Sequence, residues 1–345
     1  MAVNWRYICL ISLDQQIGTN MNNPTEKEAI KTLLEISNYI LQQHPSMVQY
    51  LAPIFQNIYG NSTLTTSLLA LQQLASKANM DFDSSWAGER MELEKIVREL
   101  DIFKGFVVDI AASDGFTQSC TLGLFGLDGW AGLAVEMDAT KFYSLAYIYS
   151  KFKNVRLART RVTPSNVVDL LKANEVPYDF DVLNLDIDSY DLYVIKSLLL
   201  GKFRPKIITM EINEKIPPGI YFTVDFDEEH YWQGDHFFGC SIDAATEVVK
   251  EFGYILFKVQ YNNAIFIRND IAFSRFQDQP ADNAYLVGYK NQLDRKEKFP
   301  WNADVDYWID TPSSEVITKI AEYFHKYTGK FTLRSSKSIF SKPQL

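Results

Sequence analysis

The sequence predicts an α/β protein whose core is a mostly parallel, doubly wound sheet that ends in an antiparallel hairpin. From residue 104 onwards, short apolar runs alternate with segments of helical periodicity, which is typical of parallel strands joined by crossover helices. The last two runs, 254–259 and 264–268, are separated by only four residues. A parallel crossover needs a dozen residues or more, so this link allows only an antiparallel pair.

The elements of this core follow in order along the chain. The predicted strands before the hairpin cover residues 106–110, 132–136, 155–159, 181–186 and 206–211. The predicted helices cover residues 117–125, 139–152, 165–174, 192–199 and 242–252. We therefore place the central domain at residues 105–272.

Two regions flank the central domain. Residues 1–104 have helical periodicity, with helices predicted over 24–40, 47–59, 63–78 and 87–102. They form either a cap on the sheet or a surface for homodimerisation. Residues 273–345 are predicted to pack on the core as an extension with a helix at 313–327 and a short edge strand at 331–333.

Composition limits the classes of function. The 345 residues are 47% hydrophobic, which is enough to bury a full core. The net charge of −9 and the pI near 5.1 argue against a nucleic-acid partner, which would need a basic surface. No apolar run reaches the roughly 20 residues that span a bilayer, and the three cysteines show no paired spacing. We expect a cytoplasmic protein that does not bind membranes.

The turn after the first strand is the strongest functional signal. An apolar run ends near Asp109, and small residues follow at alternate positions, Ala111, Ser113 and Gly115. Such a turn lets backbone amides approach a ligand closely. About twenty residues later, the second strand ends at Glu136, where a carboxylate can accept both hydroxyls of a ribose. This pattern predicts a nucleoside site.

Two kinds of nucleoside compete for this site. A dinucleotide site favours G-x-G-x-x-G, whereas this turn has one glycine and the carboxylates of Asp109 and Asp114. These acids would repel phosphates but stabilise the ammonium and sulfonium groups of S-adenosylmethionine (SAM). The terminal hairpin supports SAM independently, because dinucleotide folds keep their strands parallel. The residues predicted to bind SAM are Asp109, Ala111, Ser113, Asp114, Gly115, Glu136, Met137 and Asp186.

Polar residues also follow the fourth and fifth strands. Asp186 and Asp188 lie two residues apart, as do Glu211 and Asn213, so each pair can share a face of its strand. Adjacent strand ends would bring these oxygens around one hard cation such as Mg²⁺. The alternative without metal is that Asp186 contacts the methionine ammonium or orients the substrate, while Asp188 caps the next helix.

The stretch 215–239 is rich in aromatic residues and predicts an irregular substrate lid above the sheet edge. It contains His230 and His236, either of which could take a proton from a substrate hydroxyl near neutral pH. Asp186 and Asp188 are competing candidates for the base. We list Asp186, His230 and His236 as the predicted catalytic residues.

The segments 162–167, 179–188, 211–218 and 239–242 resemble the FkbM-like branch of SAM-dependent methyltransferases. The resemblance runs from about residue 106 to 270 and rests mainly on the Asp-Ile-Asp and Ile-Pro-Pro elements together. It implies a Rossmann-type methyltransferase sheet. It also implies O-methylation of a sugar or secondary metabolite, in polysaccharide or natural-product biosynthesis. Ala111 departs from the pattern, because glycine is commoner there.

These observations predict a SAM-dependent O-methyltransferase with a small-molecule or sugar acceptor, with or without Mg²⁺. Two alternatives stay open. One is an N- or carboxyl-methyltransferase that needs no metal, and the other is a non-catalytic binding protein with the same fold.

Overall fold

The computed structural model describes residues 84–127, 130–150, 152–272 and 275–336. The helices predicted between residues 24 and 78 lie outside the described residues. The fourth predicted helix, 87–102, is confirmed as α1 (Glu89–Glu99).

A seven-stranded sheet forms the centre of the described chain. Its strands are β1 (Phe106–Ile110), β2 (Ala131–Glu136), β3 (Val155–Arg159), β4 (Val182–Leu185), β5 (Ile207–Glu211), β7 (Tyr254–Gln260) and β8 (Asn263–Arg268). Their spatial order is β3-β2-β1-β4-β5-β8-β7. The first five strands pair in parallel, whereas β8 is antiparallel to both β5 and β7. The predicted Rossmann-type methyltransferase sheet, parallel with a terminal antiparallel hairpin, is confirmed.

The helices at residues 269–272, 281–285 and 295–298 were not predicted, whereas five others overlap predicted helices. Eight helices follow α1 in the described chain. They are α2 (Ala139–Tyr149), α3 (Val167–Ala173), α4 (Asp191–Leu200), α5 (Ile242–Glu251), α6 (Asn269–Ala272), α7 (Ala281–Tyr285), α8 (Arg295–Lys298) and α9 (Ser313–Tyr323). Two of them begin at a side-chain cap: Asp138 accepts from the amides of Thr140 and Lys141, and Ser241 accepts from that of Ala244. Such caps satisfy amides that have no partner within the helix.

The sheet is buried on both faces. Along β1, Val108 and Ile110 belong to one apolar cluster, whereas Val107 belongs to another on the opposite face. Adjacent strand residues point to opposite faces. Both faces of β1 are therefore covered by apolar side chains, as expected for a strand flanked by crossover helices.

The helix predicted over 117–125 is wrong. The Asp114 carboxylate accepts from the amides of Phe116 and Thr117, and Gln118 has a left-handed φ of 57°. The hydroxyl of Thr121 donates to Asp109 on β1, which ties the segment to the sheet. Only a π-helical turn, Gly123–Leu127, follows. These turn contacts compete with helix formation.

The irregular lid predicted over 215–239 is partly wrong. It contains strand β6 (Ile220–Val224), which pairs antiparallel with β9 (Phe331–Ser335) in a second, two-stranded sheet. The helix predicted over 313–327 is shorter in the structure, where it is α9 and ends at Tyr323. A separate 3₁₀ turn covers His325–Tyr327. After β6, residues 225–238 have no helix or strand, and we call them the lid segment.

None of the helices in the described ranges is long and apolar enough to cross a membrane.

Candidate functional site

A cavity of about 390 Å³ lies beyond the carboxyl ends of the parallel strands. Ligands of open parallel sheets bind at this edge. Several residues predicted from sequence line the cavity: Asp109, Ala111, Ser113, Glu136, Met137, Asp186, Asp188 and His230. The structure thus brings six of the eight predicted cofactor positions, two of the four predicted metal positions and one of the two candidate histidines into one space.

The turn after β1 has an unusual backbone. Ala111 and Ser113 have left-handed φ angles of 68° and 53°. The amides of Ala111 and Ala112 both donate to the carbonyl of Val135, each at 2.9 Å. Left-handed conformations of residues other than glycine cost about 1–3 kcal/mol each and occur mainly at functional sites. Here the shared carbonyl on β2 fixes the conformation.

Glu136 is buried and held in a defined orientation. Its Oε2 accepts from the amide of Ser113 at 3.0 Å, and its Oε1 accepts from the amide of Asp138 at 2.7 Å. Each carboxylate oxygen can accept a further hydrogen bond. The Glu136 carboxylate can therefore bind hydroxyl groups in the cavity while it closes the turn after β1.

Asp109 joins three strands below the cavity. It accepts from the Thr121 hydroxyl at 2.5 Å and from Asn184 Nδ2 at 2.9 Å, and Asn184 accepts from the Thr209 hydroxyl at 2.7 Å. Burial raises the pKa of the Asp109 carboxyl. Asp109 is thus a buried acid at the floor of the cavity whose hydrogen bonds orient it.

Asp114 and Gly115 are not among the described residues that line the cavity. Both Asp114 oxygens accept bonds within its own turn. Gly115 has a φ of 77°, and an added Cβ would lie 2.6 Å from Leu145 Cδ1 and 2.8 Å from Tyr149 Cε1. These two residues therefore shape the turn, and the acids that line the cavity are the other ones named above.

Three carboxyl groups converge at the ends of β4 and β5. One oxygen each of Asp186, Asp188 and Glu211 lies within 4.8 Å of the others. Asp191, at the start of α4, accepts from the amides of Ile187 and Ser189 and so holds the turn that carries the first two acids. Burial and the repulsion between these acids raise the pKa values of Asp186 and Glu211 well above the ordinary range.

The donor set of this carboxylate cluster fits a hard divalent cation. Glu211 Oε1 accepts from Asn262 Nδ2 at 3.0 Å, but its buried Oε2 has no hydrogen-bond partner among the described residues. The nearby buried Lys215 pairs with Glu214 at 2.9 Å. Acids thus outnumber the cations close to the cluster, and carboxylate oxygens are the ligands that Mg²⁺ prefers.

Asn213 follows β5, as predicted. Its Nδ2 donates to the carbonyls of His236 and Phe238, each at 2.9 Å. Its amide group therefore holds the end of the lid segment, and its place as a metal ligand stays a prediction.

The two candidate histidines differ in position. His230 lines the cavity, and its buried Nε2 has no hydrogen-bond partner in the described chain. Burial lowers the pKa of His230 from its ordinary value of 6.5, so the imidazole is neutral at pH 7. His236 instead lies 3.0 Å from Asp304 Oδ1 and packs near Tyr323 in the C-terminal region. Of the two, His230 is the one that lines the cavity, and its role as a base stays a prediction.

The sequence analysis did not single out five further residues that line the cavity: Lys141, Arg161, Tyr190, Tyr231 and Trp232. The position of Arg161, two residues after the end of β3, could have revealed it, because loops at the carboxyl edge of such a sheet carry ligand contacts. The side-chain direction of an aromatic residue in a loop has no comparable sequence signal.

No family model and no curated protein sequence matches the chain. Among solved structures, the N-terminal domain of EvdMO1 with SAH and D-fucose is 10% identical, with 55% of this chain and 83% of that chain covered and a TM-score of 0.36. Magnesium protoporphyrin IX methyltransferase from Synechocystis PCC 6803, with bound SAH, is 10% identical, with 52% of this chain and 84% of that chain covered and a TM-score of 0.34. A SAM-dependent methyltransferase from Clostridium acetobutylicum is 12% identical, with 55% of this chain and 93% of that chain covered and a TM-score of 0.34. Because these scores are low, we base the proposal of function on the site residues.

Proposed function

We propose that the protein is a SAM-dependent methyltransferase that methylates a hydroxyl of a small molecule or sugar. One observation carries this proposal: buried or oriented acids line the cavity beneath the tight turn after β1. Asp109 is buried, Asp186 is half-buried, and Glu136 is held by two amides. A cationic nucleoside suits this environment better than a pyrophosphate, which these carboxylates would repel.

The residues fit SAM in a specific way. The Glu136 carboxylate is positioned to accept from ribose hydroxyls, beside the exposed side chain of Met137. The backbone of residues 111–113 lines the approach for the rest of the cofactor. In the alternative without metal, Asp186 would supply negative charge for the ammonium group. When bound, SAM supplies an electrophilic methyl group.

The acceptor half of the cavity contains His230, Tyr231 and Trp232 of the lid segment. A neutral imidazole is a base suited to removing the proton of a hydroxyl near neutral pH. The two aromatic side chains are roughly half exposed, so they offer apolar surface to an acceptor. A hydroxyl acceptor is favoured over an amine or carboxylate because it is the one that needs this base.

Asp186, Asp188 and Glu211 would hold Mg²⁺, with Asn213 as the fourth ligand predicted from sequence. A bound divalent cation lowers the pKa of a coordinated hydroxyl and can chelate a vicinal diol. Burial and the repulsion between the acids raise the pKa values of Asp186 and Glu211, and a bound cation would oppose both effects by stabilising the charged carboxylates. We therefore include Mg²⁺ in the proposal.

Calorimetry with SAM and SAH tests the cofactor assignment. Glu136→Gln should weaken SAH binding by about 10- to 100-fold, because it removes a charged acceptor. Glu175→Gln is the matched control, since the side chain of Glu175 is 79% exposed and forms an ion pair with Arg156. Micromolar binding of both ligands is expected, and no binding of either, or tight binding of a nicotinamide dinucleotide, would refute the proposal.

Titration with Mg²⁺ tests the metal assignment independently of turnover. Glu211→Gln should abolish saturable binding, whereas Asp310→Asn, at an exposed acid paired with Lys290, should leave it unchanged. Turnover that persists in EDTA would favour the metal-free alternative. A protein that binds SAM but transfers no methyl group to any acceptor would be the binding protein.

A further inference from the structure

We propose that Arg161 is a positioning residue that fastens the lid segment to the cofactor half of the site. This proposal rests on the proposed function for its coupling to SAM, but the fastening itself can be tested without a ligand.

The guanidinium of Arg161 binds the lid segment through its backbone. It donates through Nη1 to the carbonyl of Glu228 and through Nη2 to that of His230, the latter at 2.6 Å. Its Cζ lies 4.1 Å from the centre of the Tyr231 ring. A planar fork can bridge two carbonyls and stack on an aromatic ring at once, which the single ammonium of lysine cannot do.

These contacts act where the lid segment carries the acceptor half of the cavity. His230 and Tyr231 both line the cavity, and their backbone has no strand or helix to hold it. Arg161 therefore fixes the backbone of two residues that line the cavity.

Arg161 itself is anchored to the cofactor half. It follows β3 by two residues. The amide of the preceding residue, Thr160, donates to the carbonyl of Glu136 at 3.1 Å. Asn166 Nδ2 donates to the carbonyl of Arg161 itself at 2.9 Å. The Glu136 carboxylate in turn accepts from Ser113. Hydrogen bonds thus connect the turn after β1, the proposed ribose acid and the lid segment. A ligand that orders Glu136 has a contiguous route to order His230.

The other end of the lid segment has a separate anchor. Asp235 accepts from the hydroxyl of Tyr327 at 2.6 Å and from Lys326 at 3.1 Å. The Phe237 ring stacks on Tyr327 with centroids 3.8 Å apart. Loss of the Arg161 contacts should therefore loosen residues 228–232 and leave residues 235–238 in place.

Hydrogen exchange of the ligand-free protein tests the fastening. In Arg161→Lys, exchange of the amides of residues 228–232 should accelerate about tenfold, while residues 235–238 keep their rates. Arg156→Lys is the matched control, because Arg156 lies on β3 and donates to the carbonyl of Asn174 on the outside of the domain. Arg161→Gln should reproduce the effect and provides a second variant if the first folds poorly.

Exchange with SAH present tests the coupling. SAH should slow exchange at residues 228–232 in the wild-type protein and in Arg156→Lys, but not in Arg161→Lys. Unchanged rates in Arg161→Lys without ligand, or equal acceleration in Arg156→Lys, would overturn the proposal. If SAH does not bind the wild-type protein, the proposed function fails, and the ligand-free comparison still decides the role of Arg161.

Discussion

Replacing Gly115 by alanine should destabilise the protein more than the same change at Gly234. Both glycines have left-handed backbones, with φ of 77° and 72°. An added Cβ at Gly115 would meet the buried side chains of Leu145 and Tyr149 within 3 Å, whereas at Gly234 it would meet no described atom within 4 Å. The pair therefore separates conformational strain from steric overlap.

The magnitude follows from two costs. Alanine in a left-handed conformation costs about 1–2 kcal/mol at either position. Overpacking of a buried site adds about 1–3 kcal/mol at Gly115 only. We expect the free energy of unfolding to fall by about 2–5 kcal/mol in Gly115→Ala and by about 1–2 kcal/mol in Gly234→Ala.

Urea unfolding, followed by circular dichroism, measures both variants. With an m-value of about 3 kcal/mol/M, the midpoints of the two variants should differ by about 0.3–1 M. Equal losses in both variants would show that Gly115 is needed only for its backbone conformation. The packing of the turn after β1 on α2, as described above, would then be refuted.

Three further predictions concern other parts of the site. Ala111→Gly should leave the free energy of unfolding within about 1 kcal/mol of wild type and tighten SAH binding, because it relieves a left-handed alanine. Ala112→Gly, without that strain, should lower the free energy of unfolding by about 0.5–1 kcal/mol. A larger loss of stability in Ala111→Gly than in Ala112→Gly, measured by calorimetry, would contradict this. The pKa of the His230 imidazole, measured by NMR, should lie below 6.5. The unfolded chain then binds more protons at mildly acidic pH, so stability falls as the pH decreases through 6.5 towards the folded pKa. A measured pKa above 6.5 would contradict the assignment of a neutral base. Lys215→Met should lower the free energy of unfolding by about 3–5 kcal/mol, because it leaves the buried carboxylate of Glu214 without its ion pair. A loss under about 1 kcal/mol in urea titration would contradict this.

Periodicity predicted the sheet well because its strands are short and the central ones, β1, β4 and β5, are apolar and buried on both faces. The predicted ranges of β1 and β3 match the structure residue for residue, and the hairpin of β7 and β8 follows from its short link. The ends of β4 and β5 then place Asp186 and Glu211 at neighbouring positions, because parallel strands end at the same sheet edge.

The sequence misled where contacts distant along the chain decide local structure. The segment after Gly115 has helical composition, but the bond from Thr121 to Asp109 and the Asp114 turn hold it otherwise. Strand β6 was missed although residues 220–224 are β-branched and aromatic, because its partner β9 lies more than a hundred residues later.

Periodicity and strand polarity, both readable along the chain, were enough to predict the seven strands of the central sheet, the acidic turn after β1 and the acids at the ends of β4 and β5. Folding was needed to show that His230 lines the cavity while His236 lies against Asp304, that Asp114 accepts bonds within its own turn, and that Arg161 reaches the lid segment. The reason is physical: side-chain direction in irregular segments is set by partners brought together by folding, and no pattern of neighbouring residues encodes them.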